Sequence, residues 1–147
     1  MKVTPATAAH RSMWRDLRHQ LWPEISPEEL DAEIDAALTT DKQTAFLAFD
    51  DKDRAVGFLE ASLRFDHVNG CEGSPVAFLE GIFVVVGCRR QGVARALVAA
   101  FEEWARERDV REMASDANIG NVESHAMHEA LGFIETERVV YFRKPVI

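Results

Sequence analysis

The chain has 147 residues, 47% of them hydrophobic and 29% charged, and its 25 acidic against 17 basic residues leave a formal net charge of −8. That length and an even composition, without repeat, linker or low-complexity tract, predict one domain over residues 1–147 that buries its own core without metal or disulfide support. The acidity argues against nucleic acid as a partner and suits cationic ligands. No apolar run reaches membrane-spanning length, and Met1 to Thr7 lacks the apolar centre of a secretion signal, so the chain reads as cytoplasmic with no membrane partner. Cys71 and Cys88 have neither zinc-site spacing nor the density of a disulfide scaffold and read as reduced thiols.

Lys2–Thr4 reads as a first strand, and Ala8–Leu21 as a helix with Met13, Leu17 and Leu21 on its inner face. After a turn at Trp22-Pro23, a helix starts with Ser26 as N-cap, Pro27 in first position and Glu29 completing a capping box, and is expected to run to about Leu38. Thr44–Phe49 and Ala55–Phe65 form a hairpin about the polar turn Asp50–Asp53. A loop through Asn69-Gly70 and Gly73-Ser74-Pro75 leads to the strand Val76–Val85. Beyond a turn at Gly92, Val93, Leu97, Ala100, Phe101 and Trp104 share one face of a helix. Arg111–Ser115 is a fifth strand, Asn121–Leu131 a helix closed by Gly132, and Phe133–Glu135 and Arg138–Arg143 are expected to finish the sheet. The order is β-α-α-β-β-β-α-β-α-β-β.

The turn into the Val93 helix is the most informative stretch. N–H groups unpaired at a helix start point outward together, the helix dipole favours an anion there, and Gly92 lets a ligand approach the main chain. Arg89, Arg90 and Arg95 add positive charge, so the turn can bind phosphate; the plainer reading is a strand-to-helix connection with solvated arginines. Cys88 beside it is either an ordinary thiol or a nucleophile. Arg89-x-x-Gly92-x-Ala94, together with Asn121-x-x-Ser124-x-x-x-His128-x-x-x-Gly132-Phe133, resembles the two motifs of the GNAT superfamily of acyl-CoA N-acyltransferases.

That resemblance implies an α/β (α+β) fold, with a mixed central sheet of about six to seven strands, about four flanking helices and a V-shaped opening between strands 4 and 5. It implies acetyl-CoA as co-substrate and no metal. The turn Arg89, Arg90, Gln91, Gly92, Val93, Ala94 and Arg95 would hold the pyrophosphate. Ile82, Phe83 and Val84 would offer backbone groups to pantetheine and the acetyl carbonyl, with the Val84 N–H as oxyanion donor, and Asn121 and His128 would also face the cofactor. Many members place a tyrosine at the position of His128 to protonate the leaving thiolate. His128, Tyr141 and water all stay open for that role here. His125 and His128 could suggest a metal pair, yet no third ligand is evident.

Acetyl transfer to an amine also needs a route for the amine proton. Glu80 lies in the apolar run Phe78–Phe83, where an unpaired carboxylate would lose costly hydration. It is either salt-bridged to an arginine or an amine-binding carboxylate that takes the proton through water. Asp116 is placed to share its pocket, and two carboxylates suit a polyamine. Longer runs, including Leu59–Phe65, Ser74–Ile82, Ala114–Ala117 and Glu135–Phe142, resemble the chromosomal-type aminoglycoside 6′-N-acetyltransferases. This closer resemblance implies transfer to an antibiotic 6′-amine in a ternary complex. It assigns Trp22, His67, Glu80, Asp116 and Glu137 to the aminoglycoside, although tyrosine stands at the position of His67 in those relatives, and it implies a homodimer with late strands at the interface. An acetyltransferase for another polyamine or a protein N-terminus, and a non-enzymatic acyl-CoA sensor, are the alternatives.

Overall fold

Two-residue alternation along the strands decides which side chains meet which helices. In the computed structural model, which describes residues 1–147, β1 (Lys2–Pro5), β2 (Gln43–Phe49), β3 (Ala55–Arg64) and β4 (Val76–Val84) pair antiparallel in chain order. β5 (Met113–Ser115) joins β4 in parallel. On one face, Phe46, Ala48, Leu59, Ala77 and Leu79 pack with Leu97, Phe101 and Trp104 of α3 (Val93–Glu107). On the other, Ala45, Leu47, Phe49 and Phe58 meet Trp14 and Leu17 of α1 (Arg11–Leu21) and Ile34 of α2 (Pro27–Leu38). Because both faces are covered, β2 is buried almost continuously from Ala45 to Phe49.

The helix starts follow local chemistry. Ser26 Oγ accepts the Glu29 N–H at 3.2 Å, so α2 is capped on one side, and the reciprocal half of the expected box is not made. Residues Ala8–His10 form a 3₁₀ turn rather than the first turn of α1. α3 begins after Gly92 at φ 83°, a left-handed conformation in which a side chain is strained. α4 (Val122–Ala130) is capped by Asn121, whose side chain accepts the Ser124 N–H at 3.2 Å.

The sheet has five strands, not six to seven. Phe133–Glu135 and Arg138–Arg143 have strand-like composition but no strand of this chain lies beside them, and an extended segment without a ladder partner has nothing to satisfy its backbone. Val140, Tyr141 and Phe142 accordingly stand 76%, 84% and 93% exposed.

Two irregularities shape the site. β5 meets β4 only at Ala77↔Met113, Phe78↔Ala114 and Leu79↔Ser115, so β4 runs on from Glu80 to Val84 with that edge unpaired, as the expected opening requires. Opposite, β3 pairs Glu60 with Gly81 and Ala61 with Leu79, which leaves Glu80 as the extra residue of a β-bulge. A bulge re-aims a side chain, and Glu80 is exposed between buried Leu79 and half-buried Gly81.

Candidate active site

At the bulge, Glu80 meets an arginine. Its Oε1 accepts from Ser62 Oγ at 2.7 Å and from Arg64 Nε and Nη2 at 3.0 and 2.9 Å, while Oε2 accepts from Arg64 Nη2 at 2.8 Å. The guanidinium lies 3.4 Å from the centre of the Phe78 ring. The salt-bridge reading of Glu80 is therefore realised, with lone pairs left for a further donor.

Two cavities flank this ion pair. The smaller, about 370 Å³, is lined by Arg18, Trp22, Glu33, Glu60 and Glu80 among others. The larger, about 540 Å³, is lined by Arg64, His67, Ser115, Asp116, Glu137 and Tyr141 among others. Glu80 and Asp116 thus fall in neighbouring cavities rather than one pocket: Glu80 turns toward Arg64 and Ser62 of β3, whereas Asp116 follows β5 on the other side of β4. Their strands are level there, since Leu79 and Ser115 are register partners. Asp116 and Glu137 are exposed and have no basic side chain within 4.0 Å.

Trp22 serves both core and cavity. Its indole packs edge-on against Phe58, with centroids 5.9 Å apart, and closes over Gly81, where a Cβ would lie 2.7 Å from the ring. The Arg18 guanidinium sits 4.8 Å from its centroid. Arg18, only 3% exposed, donates to Glu60 at 2.6 and 3.0 Å and to Glu33 at 2.6 Å, and Glu60 also accepts from Trp14 Nε1 at 2.8 Å. Burial works against the charge on Arg18, but the hydrogen bonds and attraction of Glu60 and then Glu33 outweigh it and raise its pKa.

The other end of the opening is the Gly92 turn. The Val85 N–H donates to Val56 O at 2.9 Å, so strand alternation aims the Val84 N–H and C=O away from β3, toward the edge that β5 leaves open. There Val84 O accepts from Arg89 Nε at 2.9 Å, which ties Arg89 to the strand. Ile82 and Phe83 are half-buried beside it. Gly92 has no neighbour within 4 Å of a Cβ and no side chain to cap α3, so the N–H groups of the first turn face open space. Val93 is buried and can offer only its backbone, Ala94 is half-buried, and Arg90 and Gln91 are exposed. Arg95 is drawn to Ala130 O at 3.0 Å. These features fit an anionic, extended ligand along β4.

His128 Nδ1 lies 2.7 Å from Ser124 O and its Nε2 2.7 Å from Ser115 Oγ, and the ring meets Phe133 edge-on at 5.3 Å. Asn121 caps α4, which occupies its oxygen. His125 bonds Asn118 O at 3.0 Å, and no three His, Cys, Asp or Glu side chains gather as metal ligands. Cys88 packs against the α3-side core. The loop carrying His67 is clasped by Glu112, which accepts from Gly73 N at 2.6 Å and Glu72 N at 3.0 Å; these bonds hold its carboxyl below the usual range. Burial and then Glu112 push the Cys71 thiol up.

Arg64, Ser62, Ser115 and the Arg18–Glu60 pair escaped the sequence reading. Only strand register brings Arg64 and Ser62 to Glu80, and no local spacing announces it.

Comparison with known proteins is consistent with this arrangement. An aminoglycoside N(6′)-acetyltransferase type 1 from Serratia marcescens is 50% identical over 131 residues, 89% of this chain and 90% of that one. Its counterpart from Acinetobacter baumannii is 47% identical over 146 residues, 99% of both. The solved structure of AAC(6′)-Iy with the bisubstrate analogue CoA-S-monomethyl-acetylneamine superposes with a TM-score of 0.95 at 44% identity, covering 99% of this chain and 98% of that one. The model of the Acetyltransferase (GNAT) family matches residues 11–133. With the split between β4 and β5, the left-handed glycine before α3 and this match over most of its length, the chain belongs to the GNAT acetyltransferase family.

Proposed function

We propose that this protein, a single domain over residues 1–147, transfers acetyl from acetyl-CoA to the 6′-amino group of aminoglycosides by direct attack in a ternary complex, and so confers resistance. One observation carries the reading. Glu80 and Trp22 line one cavity at the fork of the sheet, and Asp116, Glu137, His67 and Tyr141 line the neighbouring one, while the unpaired edge of β4 leads from that fork to the open N–H groups at Gly92. An acidic cleft concentrates a polycation, and an indole face suits a sugar ring or an ammonium group. Gly92, the α3 first turn, Arg89, Arg90, Gln91 and Arg95 would hold the pyrophosphate. The Val84 N–H would meet the oxyanion, and Glu80 with Asp116 would orient the amine and pass its proton to water.

The work is cytoplasmic, where acetyl-CoA is made, and no helix is long and apolar enough to cross a membrane. We further propose a homodimer, supported by exposed Ile134, Val140, Tyr141 and Phe142 in a segment that has no strand partner within its own chain. Sedimentation tests this.

Turnover of acetyl-CoA with kanamycin or tobramycin, followed by release of free thiol and NMR mapping of the product, tests the function. A 6′-hydroxyl analogue should bind through its remaining ammonium groups yet be a poor substrate, because alignment of the nucleophile is worth an effective concentration of about 10⁵ M or more. Acetyl found mainly on another ring amine refutes the 6′ assignment; no turnover with tight acetyl-CoA binding favours a sensor.

A further inference from the structure

The contacts of His128 fix the direction of its hydrogen bonds. Nδ1 lies 3.3 Å from Ser124 Oγ, which can donate or accept, and 2.7 Å from Ser124 O, which can only accept; the shorter contact requires that Nδ1 carry the hydrogen. In the neutral ring Nε2 then has only its lone pair, and the Ser115 hydroxyl 2.7 Å away must point its hydrogen at the ring. In the imidazolium, Nε2–H donates to Ser115 Oγ, and the serine hydrogen turns outward. The charge on His128 therefore decides whether Ser115 is a donor to the ring or a donor to the cavity. Ser115 is the last residue of β5, opposite Leu79, where the two strands part, and it lines the larger cavity beside Asp116. His128 stands behind it, held by Phe133.

We propose that Ser115 is the residue that protonates the departing thiolate and that His128 recharges it. This rests on the acetyl-transfer reading above. As the C–S bond breaks with its electron pair left on sulfur, Ser115 Oγ delivers its hydrogen to that sulfur and takes the hydrogen of His128 Nε2. The products are a thiol, a neutral serine and a neutral imidazole protonated on Nδ1. His128 regains its proton from solvent, matching the proton that the amine releases on the carboxylate side. The charged and titratable groups around the ring are Asp116 just past β5, Arg95 on α3, Glu123, His125 and Glu129 on α4, and Glu135, paired with Arg138, beyond Phe133.

The test compares wild type, Ser115→Ala, Ser115→Thr and His128→Gln in single-turnover acetyl transfer across pH. The alanine variant should lose about a hundredfold or more in rate with acetyl-CoA and aminoglycoside affinities within about twofold, and threonine should restore most of it. Wild type should slow as the ring loses its charge, and the alanine and glutamine variants should lack that dependence on pH. Independently of turnover, ¹⁵N NMR of the free protein should show neutral His128 protonated on Nδ1, with Ser115→Ala shifting the Nε2 resonance. A wild-type rate and pH profile in Ser115→Ala, an equal loss in Ser115→Thr, or a ring protonated on Nε2 overturns the relay alone. A folded wild type inert toward aminoglycosides overturns the transfer reading and the relay together.

Discussion

Replacing Glu60 by alanine should cost about 4 kcal/mol of folding stability. The carboxylate makes two contacts to Arg18 and one to Trp14, and the guanidinium and the indole are among the most buried polar groups in the chain, at 3% and 1% exposure. Without Glu60, Arg18 keeps only Glu33, whose side chain is 50% exposed, and a long 3.4 Å bond to Leu30 O. Removing one partner of a buried ion pair costs about 3–5 kcal/mol, and a buried donor left unpaired about 1–3 kcal/mol. The two overlap, because one carboxylate serves both donors, so the lower range of their sum applies. Arg18 has no escape by neutralisation, since a guanidinium keeps its proton even when a partner is lost. Glu60→Gln keeps one strong acceptor and should cost about half as much. Urea unfolding, read as a shift in midpoint at constant slope, measures both. Because Arg18 also lies over Trp22, the aminoglycoside KM should rise in the alanine variant. A loss under about 1 kcal/mol at unchanged slope would refute the reasoning, for it would mean that water or Glu33 replaces Glu60 at little cost.

Gly92→Glu should abolish acetyl-CoA binding in a protein that still folds, because it sets a side chain and a negative charge where the first N–H groups of α3 face solvent; calorimetry decides it. Glu80→Gln and Asp116→Asn should lower aminoglycoside turnover or affinity far more than acetyl-CoA affinity, and added salt should reproduce part of the affinity loss; full turnover in both variants would put the acceptor site elsewhere. The Glu112 clasp should hold above the ordinary carboxylate range, near 4.5, and weaken as pH falls through its lowered folded value, since protonation takes the charge from the acceptor of the Glu72 and Gly73 N–H groups. Amide exchange at those two residues should rise at low pH in wild type, and be fast and pH-flat, apart from intrinsic exchange, in Glu112→Ala.

Local chemistry was legible from the chain. Ser26-Pro27 and Gly92 announce helix starts because caps act over a few residues, and the faces of α1 and α3 follow from helical spacing. The bulge at Glu80 was not legible, since it arises from how β3 and β4 count against each other over some twenty residues. Nor was its partner: an arginine was anticipated, but choosing Arg64 requires the register. The last two expected strands failed for the complementary reason. Propensity describes a segment, whereas a strand is a relation between two. His128 was singled out by its motif, while its meeting with Ser115 depends on how α4 sits against β5.

The Arg64–Glu80 pair means that the proposed acceptor cleft already contains a counter-ion of its own. An incoming ammonium at Glu80 would take part in an exchange, not a simple addition, and would either displace Arg64 or share the carboxylate with it. Discrimination among polycations then passes to Asp116 and Glu137, which hold no cation. A ligand should be ranked by how many of its charges reach those two groups at once, and a small monovalent amine, however strongly basic, should compete poorly.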